Sequence, residues 1–350
     1  MLSPPPSVPL SRRRLLRAGG GLIGSALTPF GAAGAAGAAE ASFIALVHTQ
    51  AAGDHGPIDD MIAKINHLSQ QMAVPARIVY ADNPRRYAAV LTGLARAGAR
   101  VIVATFPPMT APIRAVAPRF PQTKFIQIYG TAFTPQIPNV RTIGYESYQG
   151  MFLAGFFAAQ VSRAGKLGYI GGVDEAGGRA DLNALRAGAR LFSKTITLRG
   201  AFAGSYEDPA RGRMIAQRQY AEGIDFIQTD GAATDIGVIE AANSAPNRIV
   251  SGVFRSQFRL GEQTMASAVL VYFGQSLATQ VSVALIGQFL PGHYVSSLSD
   301  GIVDFVPSFL FMQAGPEPYV VAARRAWQLV QAAKVAIIDG KIKVPFNTRR

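Results

Sequence analysis

The sequence predicts an α/β protein made of two doubly wound, Rossmann-like lobes that are joined by several hinge crossovers. Short apolar runs rich in β-branched and aromatic residues alternate with longer amphipathic windows, which is the pattern of parallel sheets covered by helices. The alternation occurs in both halves of the 350 residues, with no low-complexity linker between them. A chain of this length also accommodates two domains, each large enough to bury its own core.

The strand candidates follow one another regularly, and each is a short, mostly apolar run. They lie at 43–49, 76–81, 101–106, 124–130, 140–145, 166–172, 195–201, 226–230, 249–254 and about 266–273. Because the runs are apolar rather than strictly alternating, they are typical of strands buried on both faces.

Helical windows separate these strands, with apolar residues recurring at intervals of three and four. They lie at 57–72, 87–97, 109–117, 149–163, 178–192, 208–222, 234–242, 274–289 and 318–338. In one of them Asp208-Pro209 places proline at the first helical position, and Gly223 closes the same helix.

Residues 1–39 form a predicted export signal. Ser-Arg-Arg-Arg-Leu-Leu-Arg at 11–17 is followed by an apolar run and a tract of small residues with Ala-x-Ala spacing at 36–38. Paired arginines in this context indicate the twin-arginine route, while an ordinary secretory signal with surplus arginines is the alternative. Either route predicts a protein that works in the periplasm.

Composition narrows the class of protein further. The chain has no cysteine, which excludes disulfides, thiolate metal sites and cysteine nucleophiles, and predicts a protein without a lipid-modified N-terminal cysteine. The formal charge of +13 falls to +9 without residues 1–39, since 30 Lys and Arg then face 21 Asp and Glu. These basic residues are scattered, so we expect no nucleic-acid partner.

The two lobes define the expected binding site. The first lobe is predicted to comprise residues 40–146 and about 255–290, and the second residues 147–254 and about 291–350. Ligands of doubly wound sheets bind beyond the carboxyl ends of the strands, so two facing lobes would enclose one cleft. We expect hinge crossovers near Tyr145, Phe254 and Phe289 to let the lobes close over a ligand.

Several segments, in matching order, carry a resemblance to a known family. They include Gly-Met-Phe-Leu-Ala-Gly at 150–155, Lys-Leu-Gly-Tyr-Ile-Gly-Gly at 166–172, Gly-Ser-Tyr-Glu-Asp-Pro-Ala at 204–210, Gly-Val-Ile-Glu-Ala-Ala at 237–242 and the ending at 337–345. The chain resembles the basic membrane protein, or PnrA-like, family of ABC-transporter substrate-binding proteins. The resemblance implies a type I periplasmic-binding fold that captures a small solute, often a purine nucleoside, and delivers it to an inner-membrane ABC permease.

The resemblance also implies ligand-contacting positions. Tyr206 stands where the family places an aromatic ring, which could stack on a flat heterocycle, and a half-buried core tyrosine is the alternative reading. In the first loop Asp54 matches the family, but the family's aromatic residue is absent. His55 in the same loop is a candidate donor to a ligand oxygen, and a solvated loop histidine is the alternative. Phe106 ends a predicted strand at the cleft.

Two further loops depart from the family. Asp230 precedes a turn in which several of the family's glycines are replaced, and it is a candidate for binding a hydroxyl or an amine. Phe254-Arg255 stands where the family carries an Asp suited to ribose hydroxyls. Because arginine can grip a carboxylate or an oxo-heterocycle with two parallel hydrogen bonds, this pair suggests a planar, oxygen-rich or anionic ligand.

No catalytic constellation emerges from the sequence. The four histidines have no metal-ligand spacing, and Gly-x-Ser-x-Gly and a phosphate-binding loop are absent. We therefore expect a monomeric solute-binding protein without a cofactor rather than an enzyme. A periplasmic sensor that presents its bound solute to a membrane signalling partner requires the same two lobes, so it stays open as the alternative function.

Overall fold

Two six-stranded sheets organise the protein in a computed structural model that describes residues 42–350. The export signal predicted at 1–39 lies outside the described residues. The strands are β1 Phe43–His48, β2 Ala76–Tyr80, β3 Ala99–Thr105, β4 Lys124–Ile128, β5 Val140–Tyr145, β6 Lys166–Gly171, β7 Thr197–Phe202, β8 Phe226–Asp230, β9 Ile249–Gly252, β10 Met265–Val271, β11 Gly292–Ser296 and β12 Val303–Pro307.

The helices alternate with these strands for most of the chain. They are α1 Pro57–Met72, α2 Tyr87–Arg96, α3 Thr110–Val116, α4 Ser147–Val161, α5 Ala176–Phe192, α6 Pro209–Ala221, α7 Thr234–Asn243, α8 Phe273–Leu285, α9 Phe309–Ala314 and α10 Glu317–Ile338. At the start of α6 the Asp208 carboxylate accepts the Arg211 N–H and Pro209 takes the first helical turn, as the sequence predicts.

Each sheet lies between two layers of helices, so the doubly wound prediction is confirmed. The first sheet has the strand order β11-β5-β4-β3-β1-β2 and is parallel throughout. The second has the order β12-β10-β9-β8-β6-β7 and is parallel except for β12. Apolar clusters bury both faces of each sheet, with α1 and α8 on one face of the first and α2 and α3 on the other.

Strand pairing departs from the predicted lobe boundaries at two strands. The prediction assigned β10 to the first lobe, but it pairs with β9 and β12 in the second sheet. The prediction assigned β11 to the second lobe, but it pairs with β5 in the first sheet. The physical reason is that local patterning indicates a strand but not the distant strand that will be its partner.

Within the described residues the chain passes between the sheets at 145–147, 271–273 and 296–303. Tyr145 therefore lies at a crossover, as predicted. Phe254 does not, because β9 and β10 are neighbours in one sheet. Phe289 does not either, because it connects α8 to β11 inside the first lobe. No helix in residues 42–350 is long and apolar enough to cross a membrane.

Candidate binding site

A cavity of about 350 Å³ lies between the two lobes. The first lobe lines it with residues that follow β1, β3 and β4, and the second lobe with residues that end or follow β6, β7, β8 and β9. The cavity thus lies beyond the carboxyl ends of both sheets, where open α/β sheets bind ligands. Its volume is in the range of small-molecule sites.

Three aromatic rings form the wall from the first lobe. The ring centroid of Phe106 lies 6.4 Å from that of Tyr129 and 6.2 Å from that of Phe273, and the last two are 6.1 Å apart. Phe106 and Tyr129 follow β3 and β4 with φ angles of 68° and 58°, in the left-handed region that side chains other than glycine rarely adopt. Such backbone strain concentrates at functional sites, and here it accompanies the two rings at the cavity.

Two carboxyl groups form the opposite wall. Asp181 projects from α5 and Asp230 ends β8, and the two carboxyl groups are close enough to perturb each other's pKa. The Ser147 hydroxyl, at the start of α4, donates to Asp181 at 3.0 Å from Oδ1. The Tyr169 hydroxyl donates to Asp230 Oδ2 at 2.8 Å. Hydrogen bonds from two further elements of the second lobe, α4 and β6, therefore hold the pair in position.

Burial perturbs the titration of both acids. It raises the pKa of Asp230 to about 7, against the favourable hydrogen bond from Tyr169. It also raises the pKa of Asp181 well above its usual value, and the neighbouring Asp230 charge adds to the effect. Two neighbouring like charges oppose each other in a poorly solvated site, so the raised pKa values favour a pair that carries no more than one negative charge near neutral pH.

Tyr206 and Glu175 complete the wall from the second lobe. The Tyr206 hydroxyl donates to Glu175 Oε1 at 2.6 Å, which fixes the direction of the ring. A Cβ atom on Gly172 would lie 2.2 Å from the Tyr206 ring, so the ring occupies this position only because residue 172 is glycine.

The loops of the two lobes touch at the edge of the cavity. The Ala51 N–H of the first lobe donates to Glu207 Oε1 of the second at 2.6 Å. The Ser256 hydroxyl donates to the carbonyl oxygen of His55. The Phe254 ring reaches the first-lobe loop at Gly56, where an added Cβ would lie 3.0 Å from it. The lobes are therefore closed on each other in this structure.

Four of the seven residues that the sequence indicated line the cavity. They are Phe106, Tyr206, Asp230 and Phe254. The other three, Asp54, His55 and Arg255, are not among the lining residues. That any of the seven contacts a ligand stays a prediction.

Asp54 stabilises the start of helix α1, next to the cavity. Its buried carboxylate accepts the N–H groups of Gly56 at 2.8 Å and Ile58 at 3.1 Å, which satisfies the start of α1. Burial raises the pKa of Asp54, and these backbone N–H groups oppose the rise. His55 is exposed and meets the other lobe only through its carbonyl oxygen.

Arg255 does not line the cavity. It is exposed, and its Nη2 donates to the Tyr272 hydroxyl at 3.3 Å. Its neighbour Phe254 has extended backbone angles and lines the cavity, whereas Arg255 begins a short 3₁₀ helix that runs to Leu260.

Sequence reasoning missed Tyr129, Ser147, Glu175, Asp181 and Phe273, which also line the cavity. A signal for Asp181 exists in the sequence, because Gly178, Asp181, Leu185 and Gly188 recur at helical spacing and form the buried face of α5. A buried acid on such a face requires a hydrogen-bonding or charged partner, so it is a candidate for a binding site.

These features define a class: a two-lobed α/β solute-binding protein whose ligand site lies between the lobes. The model of the ABC transporter substrate-binding protein PnrA-like family matches residues 60–340, and the chain belongs to that family. The resemblance noted from the sequence is thus confirmed.

Individual relatives agree with this membership. Basic membrane protein A2 of Borrelia garinii subsp. bavariensis is 30% identical over 75% of this chain and 76% of its own length. Basic membrane protein A of Borreliella afzelii is 27% identical over 75% and 78%. The solved structure of an ABC transporter solute-binding protein from Aeropyrum pernix K1 has a TM-score of 0.76 at 18% identity and covers 88% of this chain and 94% of its own. That likeness shows the fold, which is the type I periplasmic-binding fold.

Proposed function

We propose that the protein captures a small, planar, polar solute between its lobes outside the cytoplasm and delivers it to the permease of an ABC importer. Purine nucleosides, nucleobases and oxopurine-like rings are the solutes to test first. One observation supports this most: rings from the first lobe and hydrogen-bonding groups from the second converge on one cavity. Aromatic faces suit a flat ring, and polar groups at its edge would fix its orientation.

Membership of a substrate-binding family supports the transport step, because such proteins act by handing a solute to a membrane partner. Arg255 gives no support for an anionic solute, since it does not line the cavity and its guanidinium group contacts the Tyr272 hydroxyl. The solute would instead meet uncharged rings and carboxyl groups.

A thermal-shift screen of the purified protein tests the proposal. The panel contains nucleosides, free purines and pyrimidines, oxopurines and carboxylated rings. A solute at a hundred times its Kd would stabilise the fold by about 2.7 kcal/mol, which raises the Tm measurably. Phe254→Ala should reduce the shift by removing a cavity ring, whereas Arg255→Ala should preserve it. Absence of a shift with every planar solute would contradict the proposal.

A further inference from the structure

The cavity is acidic. Glu175, Asp181 and Asp230 reach its wall, while its lining, all within residues 42–350, contains no lysine, arginine or histidine. Asp181 is only 3% exposed, so water solvates it poorly. Burying a carboxyl group costs free energy unless a partner compensates it. The lining residues themselves provide no cationic partner.

The groups that surround the acid pair add no positive charge either. Asp235 lies in α7 behind Asp230, and Tyr129, Tyr169, Tyr206 and Glu175 face the pair from the other elements. Every one of these titratable groups is an acid or a phenol. The Ser147 and Tyr169 hydroxyls donate hydrogen bonds to the pair but do not neutralise its charge.

The opposite wall suits a positive charge as well. Phe106, Tyr129 and Phe273 line the cavity from the first lobe. The faces of aromatic rings carry negative electrostatic potential and attract cations, most strongly where water is excluded. The rings of the first lobe and the carboxyl groups of the second lobe therefore both favour a positively charged solute.

We infer that the solute of this cavity carries a planar, positively charged nitrogen group, such as an amidinium or a protonated amino-heterocycle, with the Asp181–Asp230 pair as its counter-ion. The inference rests on the proposed function, since it names the class of solute for the same cavity. A planar group with two N–H donors can bind a carboxylate through two parallel hydrogen bonds.

The inference also predicts how the affinity for the solute depends on pH. With the pKa of Asp230 raised to about 7 by burial, both carboxyl groups hold protons in mildly acidic solution. A cation that binds there must displace one proton to the solvent. Its affinity should then rise about tenfold per pH unit up to about pH 7 and level off above it.

Three probes of one shape and different charge test this directly: benzamidine, which is cationic, benzamide, which is neutral, and benzoate, which is anionic. Their binding to the purified protein is measured by isothermal titration calorimetry between pH 5 and 8. At pH 8, where the pair is ionised, we expect benzamidine to bind about tenfold or more tightly than benzamide, since hydrogen bonds between charged groups are about twice as strong as neutral ones. Benzoate should bind most weakly. Titrations in buffers of different ionisation enthalpy should show one proton released per benzamidine at pH 6.

Two variants locate the effect. Asp181→Asn and Asp230→Asn keep the shape of the side chain, and the double variant, which leaves the pair no carboxylate, should abolish both the preference for benzamidine and its pH dependence. Each single variant keeps one carboxylate and should shift the pH dependence to lower pH, because the like-charged neighbour is gone. Glu240→Gln is the matched control, because Glu240 is an exposed acid on α7 that pairs with Arg213 outside the cavity. It should behave as the parent protein does.

The remaining outcomes separate the two proposals. Equal binding of benzamidine and benzamide at pH 8, stronger binding of benzoate, or a preference that survives the double Asn variant would overturn the inference. Failure of all three probes, while neutral nucleobases or nucleosides still raise the Tm, would overturn it and leave the proposed function standing. Failure of both the probes and the wider solute panel would overturn both.

Discussion

Single residues decide how the cavity wall is built. Tyr206 reaches the cavity because Gly172, directly after β6, has no side chain, and its hydroxyl is held by Glu175. Phe254 reaches the facing loop because residue 56 is also glycine. In both places the absence of a Cβ atom allows an aromatic ring to approach the backbone closely.

Gly172→Ala should weaken solute binding. The new Cβ would lie 2.2 Å from the Tyr206 ring, so the ring must shift and its hydrogen bond to Glu175 must lengthen. We expect a loss of affinity for the strongest solute of the screen, measured by calorimetry, with little change in the far-ultraviolet circular dichroism spectrum. Gly93→Ala is the control, since an added Cβ there meets nothing within 4 Å. If Gly172→Ala binds the solute with unchanged affinity, Tyr206 does not contribute to the binding site.

Helix α1 depends on a residue that the sequence presented as a ligand contact. Asp54 accepts backbone N–H groups at the start of this helix, which is the work of a capping residue. Asp54→Ala should lower the free energy of unfolding by about 0.5–2 kcal/mol in urea denaturation. Solute affinity, measured on the folded variant, should stay the same. A large loss of affinity without a loss of stability would instead make Asp54 a ligand contact.

Helices α4 and α5 pack through reciprocal glycines. A Cβ on Gly155 would lie 1.9 Å from the Leu185 carbonyl oxygen, and one on Gly188 would lie 1.9 Å from that of Phe152. The two backbones therefore lie in contact, which places Ser147 of α4 beside Asp181 of α5.

Gly155→Ala should destabilise the protein, because a backbone carbonyl cannot move aside as a side chain can. We expect the free energy of unfolding to fall by about 1–3 kcal/mol, as for other overpacked cores. The surface-helix variant Gly93→Ala should leave stability unchanged or raise it slightly, since alanine favours helices. Equal stability of the two variants would show that α4 and α5 do not require this contact.

The strands and helices could be predicted from the sequence more completely than the cavity residues that they position. Apolar runs such as β1, buried at every position, identify strands without further information. The strands β11 and β12 were missed because Gly292–Ser296 and Val303–Pro307 mix polar with apolar residues and present no continuous apolar run, and β11 is largely exposed. The strand-end rule correctly indicated the loop that carries Phe254 and Arg255. It could not indicate which of the two side chains turns inward, because that depends on the local backbone angles.

The arrangement of the whole molecule fits the proposed closure of the lobes on a solute. Three crossovers connect the lobes in residues 42–350, and hydrogen bonds from Ala51 to Glu207 and from Ser256 to His55 join the loops at the cavity edge. A solute that contacts both walls binds the closed arrangement better than an open one, and its binding would shift the population towards closure.

The distance between the lobes, measured with and without solute, tests this account most directly. Because the chain has no cysteine, Arg96→Cys on the first lobe and Lys194→Cys on the second give a unique pair of spin labels at exposed positions. Double electron–electron resonance should show a broad distribution of distances in the free protein. The panel solute that raises the Tm most should convert it into one narrow, closed population. A distribution that this solute leaves unchanged would contradict capture by closure of the lobes.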